Sequence, residues 1–123
     1  MEWSVAIADE FEPEFISLPE RVQDEILAQS LLLKQFGPGL GRPKVDTLNG
    51  SKHSNMKELR LVVSGRQWRL AFAFDPRRRA MLLVAGEKSG KNSRRFYREL
   101  LHKADERFQR HLNNLKTMEN PNG

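Results

Sequence analysis

Arginine at positions 60 and 69 and lysine at positions 88 and 91 are the side chains of this sequence best placed to act on an anion. Arg69 lies in Trp68-Arg69-Leu70-Ala71-Phe72-Ala73-Phe74, where Trp68, Leu70, Phe72 and Phe74 alternate with Arg69, Ala71 and Ala73. That period of two marks a strand, and it turns Arg69 to a face lined by two alanines, a shallow open surface. Arg60 stands likewise opposite Leu59, Leu61 and Val63 in the preceding apolar run. If the two faces coincide, two guanidiniums stand side by side, and like charges that close repel unless an anion sits between them. Glu58, beside Arg60, offers the competing account: an ion pair that satisfies the arginines on an exposed sheet. Lys88, at the end of a third strand, would close the ring. Such a site suits cleavage of RNA without a metal. The substrate brings its own nucleophile, the 2′-OH, so the protein need only orient it, stabilise charge on phosphorus and manage two protons. A lysine or tyrosine of lowered pKa would serve as acid or base.

Other chemistries fit less well. Gly86-Glu87-Lys88-Ser89-Gly90-Lys91-Asn92-Ser93 has the flavour of a phosphate loop, but it has three residues between its glycines where four are needed. Asn92 also follows Lys91 where Ser or Thr belongs, so nucleotide hydrolysis is set aside. His53, His102 and His111 include no pair four residues apart, which leaves no zinc-helix motif. There is no cysteine, so thiol catalysis, disulfides and Cys-based zinc sites are excluded. No cofactor or metal is expected.

Charge is distributed unevenly. Residues 1–36 hold two basic and eight acidic side chains, a net of −6, and residues 37–123 hold nineteen and eight, a net of +11. Between Lys57 and Arg98 there are twelve basic residues and three acids. A block so basic, folded onto one side of a small domain, makes a field suited to a polyanion. At 123 residues the chain makes one domain, and its longest apolar run, Ala80 to Ala85, is too short to cross a bilayer. Without a basic, apolar leader at Met1-Glu2-Trp3-Ser4, a cytoplasmic protein is expected.

The elements that must position these residues follow from periodicity. Trp3, Val5 and Ile7 alternate with small residues as in a short first strand. A short helix runs from Asp9 to about Ile16, and a longer one from Glu20 to Phe36 carries Val22, Ile26, Leu33 and Phe36 on one stripe. Leu27 and Leu31 form a second apolar face there, to be buried by a neighbouring segment or used for docking. Gly37 stops the helix, and residues 44–56 read as a loop or poor strand. Three strands follow, joined at Ser64-Gly65 and at Asp75-Pro76-Arg77-Arg78, an antiparallel meander. Phe96, Leu100, Leu101, Ala104, Phe108, Leu112 and Leu115 then make a wide helical stripe. The reading is an α+β domain over 1–112, of order β-α-α-β-β-β-α. Its sheet is mainly antiparallel with helices packed on one face, and residues 113–123 form a polar, flexible tail.

Met56-Lys57-Glu58-Leu59-Arg60-Leu61, the Trp68–Phe74 strand, Leu82 to Lys88 and the helix opening Arg94-Arg95-Phe96-Tyr97 together resemble the RelE/ParE toxin superfamily, in its phage-derived HigB-like branch. The resemblance implies the toxin of a type II toxin–antitoxin pair, a ribosome-dependent endoribonuclease acting on mRNA and partnered by a helix-turn-helix antitoxin. It implies that Arg60, Arg69 and Lys88 are catalytic, with Lys91 and Tyr97 as further candidates. Tyr97 sits within the apolar stripe, so a core role stands beside the catalytic one. Lys57, Arg66, Arg77, Arg78 and Arg94 are the expected RNA and ribosome contacts. The alternative is a ParE-like toxin that poisons DNA gyrase without being a nuclease.

Overall fold

The computed structural model describes residues 3–119. Five strands, β1 (Ser4–Ile7), β2 (Val45–Thr47), β3 (Met56–Val63), β4 (Arg66–Phe74) and β5 (Arg79–Glu87), form one sheet in the order β1-β5-β4-β3-β2. The tight connections dictate the antiparallel meander β3-β4-β5, while β1 returns parallel to β5 at the edge. At the first turn Ser64 and Gly65 both have positive φ, +52° and +76°, which matches the twist of a two-residue hairpin. At the second, Asp75 Oδ1 accepts the backbone N–H groups of Arg77 and Arg79 at 2.9 and 3.0 Å. β2 lies in the stretch read as a loop or poor strand. Its three residues are too few to show alternation, and it forms because Val45 buries against its partner Leu59.

The helices α1 (Phe11–Ser17), α2 (Glu20–Phe36) and α3 (Ser93–Glu119) complete the expected α+β order. They do not share one face of the sheet, as the sequence reading had it. Both faces of β4 are buried: Leu70 and Phe72 on one, Ala71 and Ala73 on the other. α2 covers the first face, where Leu27 and Leu31 border a groove with Val5, Ile7 and Leu82. α3 covers the second, the alanine side, which small residues left open for a helix rather than for solvent. The apolar stripe of α2 buries Val22, Ile26 and Leu33 as expected, but Phe36, Leu27 and Leu31 are exposed. Gly37 ends the helix at φ +53°, its N–H bonded to Leu33 O, and a Cβ there would lie 2.3 Å from the Trp3 indole.

α3 buries Phe96, Leu100, Ala104 and Phe108, and it continues past the expected boundary at Leu112 because Leu115 is also buried. The part of the expected tail beyond Glu119 lies outside the described residues. Two polar ties fix this helix. His111 Nε2 lies 2.8 Å from Asp75 Oδ2. Arg107 clamps Glu14 of α1 with bonds of 2.6 and 2.8 Å and donates to Leu83 O at 2.8 Å. Leu83 is the extra residue where the β4–β5 register shifts, so Arg107 satisfies a carbonyl in an irregular stretch of ladder. No helix among the described residues is long and apolar enough to cross a membrane.

Candidate active site

In the β3–β4 register Arg60 pairs directly with Arg69, and Glu58 with Ala71. In the β4–β5 register Arg69 pairs with Gly86. Directly opposed residues share a face, so Arg60, Arg69 and Gly86 make one row across three strands, with Glu58 beside it. Register thus places the two residues side by side, while their guanidiniums bond different groups. α3 closes on this row at Gly86, where a Cβ would come 3.0 Å from the Phe96 ring. That approach brings Tyr97 onto Arg69, whose Nε donates to the Tyr97 hydroxyl at 3.2 Å.

The two arginines differ in their surroundings. Arg69 is only 8% exposed, and its Nη1 and Nη2 donate to Trp68 O at 2.9 Å and Gln67 Oε1 at 3.3 Å. It is a fixed cation beneath the surface. Arg60 has a side chain 40% exposed, held from behind by Glu58 Oε1 at 3.1 Å and Asp46 Oδ2 at 3.3 Å. Asp46 also holds Arg42 at 3.1 Å. The Thr47 backbone N–H, the Arg42 side chain and the charge of Arg60 together set its carboxyl below the usual range. Of the two guanidiniums, that of Arg60 is the one open to solvent.

The competing account, a Glu58–Arg60 ion pair on an exposed sheet, holds for the pair but not for the exposure: Glu58 is 4% exposed, and its Oε2 has no hydrogen-bond partner among the described residues. Its strand position was legible, but the helix that buries it comes from 35 residues further on. Burial pushes the Tyr97 hydroxyl above the usual phenol range; the bond from Arg69 works against this, and the Glu58 carboxylate adds to it. Tyr97 is a proton donor at neutral pH. Its ring packs against Phe96 at 5.3 Å, so the core and polar roles foreseen for it coexist in one half-buried side chain.

Lys88 Nζ lies 5.7 Å from the centre of the Tyr97 ring, whereas Lys91 Nζ lies against Phe96 at 5.9 Å. Lys88 is thus the lysine over the Tyr97 ring, anchored by its N–H to Gln67 O at 2.7 Å. Arg66 sits at the same end of the sheet, paired with Glu87 at 3.3 Å. Arg94 lines a trough with Tyr97 and Arg98. Three expected contacts fall elsewhere. Lys57 lies on the opposite face of β3 and donates to Thr47 Oγ1 at 3.3 Å. Arg77 and Arg78 lie in the turn at the far end of β4, roughly 20 Å from Arg69 at ~3.3 Å per residue. There Arg77 pairs with Glu119, and Arg78 stacks on Trp3 at 4.2 Å.

Residues 13–109 match the phage-derived Gp49-like protein family. The chain belongs to that family. Its relatives include a Mycobacterium tuberculosis protein that carries the toxin name HigB2, 45% identical over 96 residues, 77% of this chain. The chain spans about half of that relative, 47% of its length. A second, with the toxin name HigB3 from the same organism, is 39% identical over 109 residues, 89% of this chain and 93% of the relative. Among solved structures, a free mutant of the Escherichia coli toxin RelE shares the fold with a TM-score of 0.60. That likeness covers 87% of this chain and 98% of RelE at 12% identity. The relatives make this a HigB-like chain of the Gp49-like family, and the fold is that of RelE.

Proposed function

We propose that this HigB-like chain is the toxin of a type II toxin–antitoxin pair, an endoribonuclease that cuts mRNA on the ribosome without a metal. The observation that supports it most is the row of Arg60 opposite Arg69, with Tyr97 and Lys88 at one end. Glu58 and Asp46 meet one side of Arg60, whose side chain is still 40% exposed, and a scissile phosphate is an anion of the right size for the open side.

In this reading Arg60 and Lys88 bind the non-bridging oxygens and stabilise the added charge as the 2′-oxygen attacks phosphorus. The 2′-O–P bond forms, the bond to the 5′-oxygen breaks, and the products are a 2′,3′-cyclic phosphate and a 5′-hydroxyl. Tyr97, kept protonated by burial, gives its proton to the departing 5′-oxygen, and Arg69 steadies the phenolate left behind. The 2′-hydroxyl proton leaves to water. The one carboxylate beside the row among the described residues, Glu58, is buried and bonded to Arg60, so alignment of the nucleophile falls to the ribosome, and naked RNA is a poor substrate. The partner that restrains the toxin is a helix-turn-helix antitoxin. The HigB names of the relatives do not favour the gyrase alternative, which also leaves the arginine row unused.

Brief induction in cells followed by primer extension across several messages tests the proposal. Cuts in phase with the reading frame, absent for Arg60→Ala, support it. Intact messages accompanied by DNA breaks overturn it.

A further inference from the structure

The sheet face that carries Arg60 and Arg69 is covered only in part. Ala71 is fully buried and Glu58 is 4% exposed, but the cover given by α3 ends at the arginine row, where Phe96 meets Gly86. One step towards the β3–β4 hairpin, Val62 pairs with Gln67. Residues two apart on a strand share a face, so this second row lies ~7 Å from the first. Val62 is 68% exposed, more than any other large apolar side chain among the described residues. Lys88, just past β5, continues the row on the third strand, its N–H on Gln67 O.

Gln67 is exposed and yet fixed. Its backbone N–H donates to Ser89 Oγ at 2.7 Å, and its Oε1 accepts from Arg69 Nη2 at 3.3 Å. A guanidinium has donors only, so the amide oxygen must face Arg69 and the NH2 group must point away from it. Because Arg69 is itself buried and bonded on three sides, it holds that orientation. The Gln67 NH2 group has no hydrogen-bond partner among the described residues. The second row therefore offers an open apolar surface at Val62 and a directed donor at Gln67, side by side. A nucleobase bound out of the stack uses those two things, one against its face and the other at its edge.

The geometry of an in-line displacement says which base this is. Tyr97 comes from the covered side of the row, where its hydroxyl meets Arg69 and feels the Glu58 carboxylate. As the proton donor it marks the side on which the bond to the 5′-oxygen breaks. The attacking 2′-oxygen enters from the opposite side, that of Val62 and Gln67. We propose that Val62 and Gln67 form the subsite for the base 5′ to the cut, and that Gln67 selects a keto base, guanine or uracil, over an amino base, adenine or cytosine. A keto oxygen accepts the Gln67 N–H, whereas an exocyclic amino group sets donor against donor. The inference rests on the proposed cleavage and names the feature of the RNA that the same site recognises.

The test uses the full chain and ribosomes programmed with messages that differ only in the nucleotide 5′ to the mapped cut, with single-turnover rates as the readout. Guanine or uracil there should be cut about tenfold faster, or more, than adenine or cytosine. Inosine, which keeps the keto oxygen, should match guanine. Gln67→Met removes the donor and should bring the guanine-to-adenine ratio to within about twofold of one. Gln67→Glu puts an acceptor in its place and should turn the preference towards adenine. Val62→Ser should slow all four bases by a similar factor and keep the ratio. A merely structural role for Gln67 would lower every rate in its variants and leave the ratio intact, which would overturn the inference. Equal rates on all four bases with the native chain, or a preference set by the nucleotide 3′ to the cut, would overturn it too. If the native chain cuts none of the messages, the proposed cleavage falls and takes the inference with it, whereas cuts indifferent to the base remove the inference alone.

Discussion

Arg69 combines three hydrogen bonds with near-complete burial, so removing its side chain takes one donor each from Tyr97, Gln67 and the Trp68 carbonyl. Arg69→Ala is expected to cost about 3 kcal/mol in a urea melt and to abolish cleavage, the two losses being inseparable. Arg60 is a different case, because its ion pairs to Glu58 and Asp46 are partly exposed. Arg60→Ala should change stability by no more than about 1 kcal/mol while lowering cleavage on the ribosome roughly 100-fold or more. Tyr97→Phe keeps the ring against Phe96 and removes both the proton donor and the acceptor of the Arg69 Nε–H. Its cleavage rate should drop by about 10²-fold or more, with a loss of only about 1–2 kcal/mol in the melt. Since burial raises the Tyr97 hydroxyl above its ordinary value, any alkaline decline due to its ionisation should fall above about pH 10 in a pH–rate profile.

At the scale of the elements, α3 is held to the sheet by groups whose protonation sets acid stability. Burial alone would raise the Asp75 carboxyl, but the bond with His111 and the bonds and charge of Arg79 outweigh it and hold the group below the usual range. The bonds from Arg107 lower Glu14 in the same direction. A carboxylate depressed on folding contributes stability that is complete above its unfolded value, near ~4, and is lost as the pH falls through the folded value. The melting temperature should therefore be level near neutrality on account of these groups and decline below about pH 4, with a shallower decline in Asp75→Asn. Gly37→Ala tests a different joint. Positive φ and a Cβ driven into the Trp3 indole predict a loss of roughly 2–3 kcal/mol, read by denaturant melt. The strands and α3 were legible in the sequence because a period of two, or a wide helical stripe, records which face a residue buries. What stayed hidden depends on contacts across long separations. β2 exists through its pairing to Leu59, and α3 covers the alanine face where an open surface was expected. For the same reason Arg60 and Arg69 were readable as a pair, while the burial of Glu58 beneath Tyr97 and the scatter of Lys57, Arg77 and Arg78 away from the row were not.

Across the whole molecule, the +11 of residues 37–123 stands against the −6 of residues 1–36. The cations around the site include Lys88, Lys91, Arg94 and Arg98, none with a carboxylate partner among the described residues. Binding to ribosomes should consequently weaken by roughly 10²–10³-fold between about 50 and about 200 mM salt, as counterions released by phosphate contacts dictate. Co-sedimentation over that range checks it, and a flat response would contradict the electrostatic account. The most direct measurement uses purified ribosomes programmed with a defined message in the presence of a chelator, the fragments being analysed for their ends. The account predicts cuts in phase with the decoding site that leave a 2′,3′-cyclic phosphate and a 5′-hydroxyl and disappear with Arg60→Ala. A message left whole by the native chain, or cut equally well by Arg60→Ala, would contradict it.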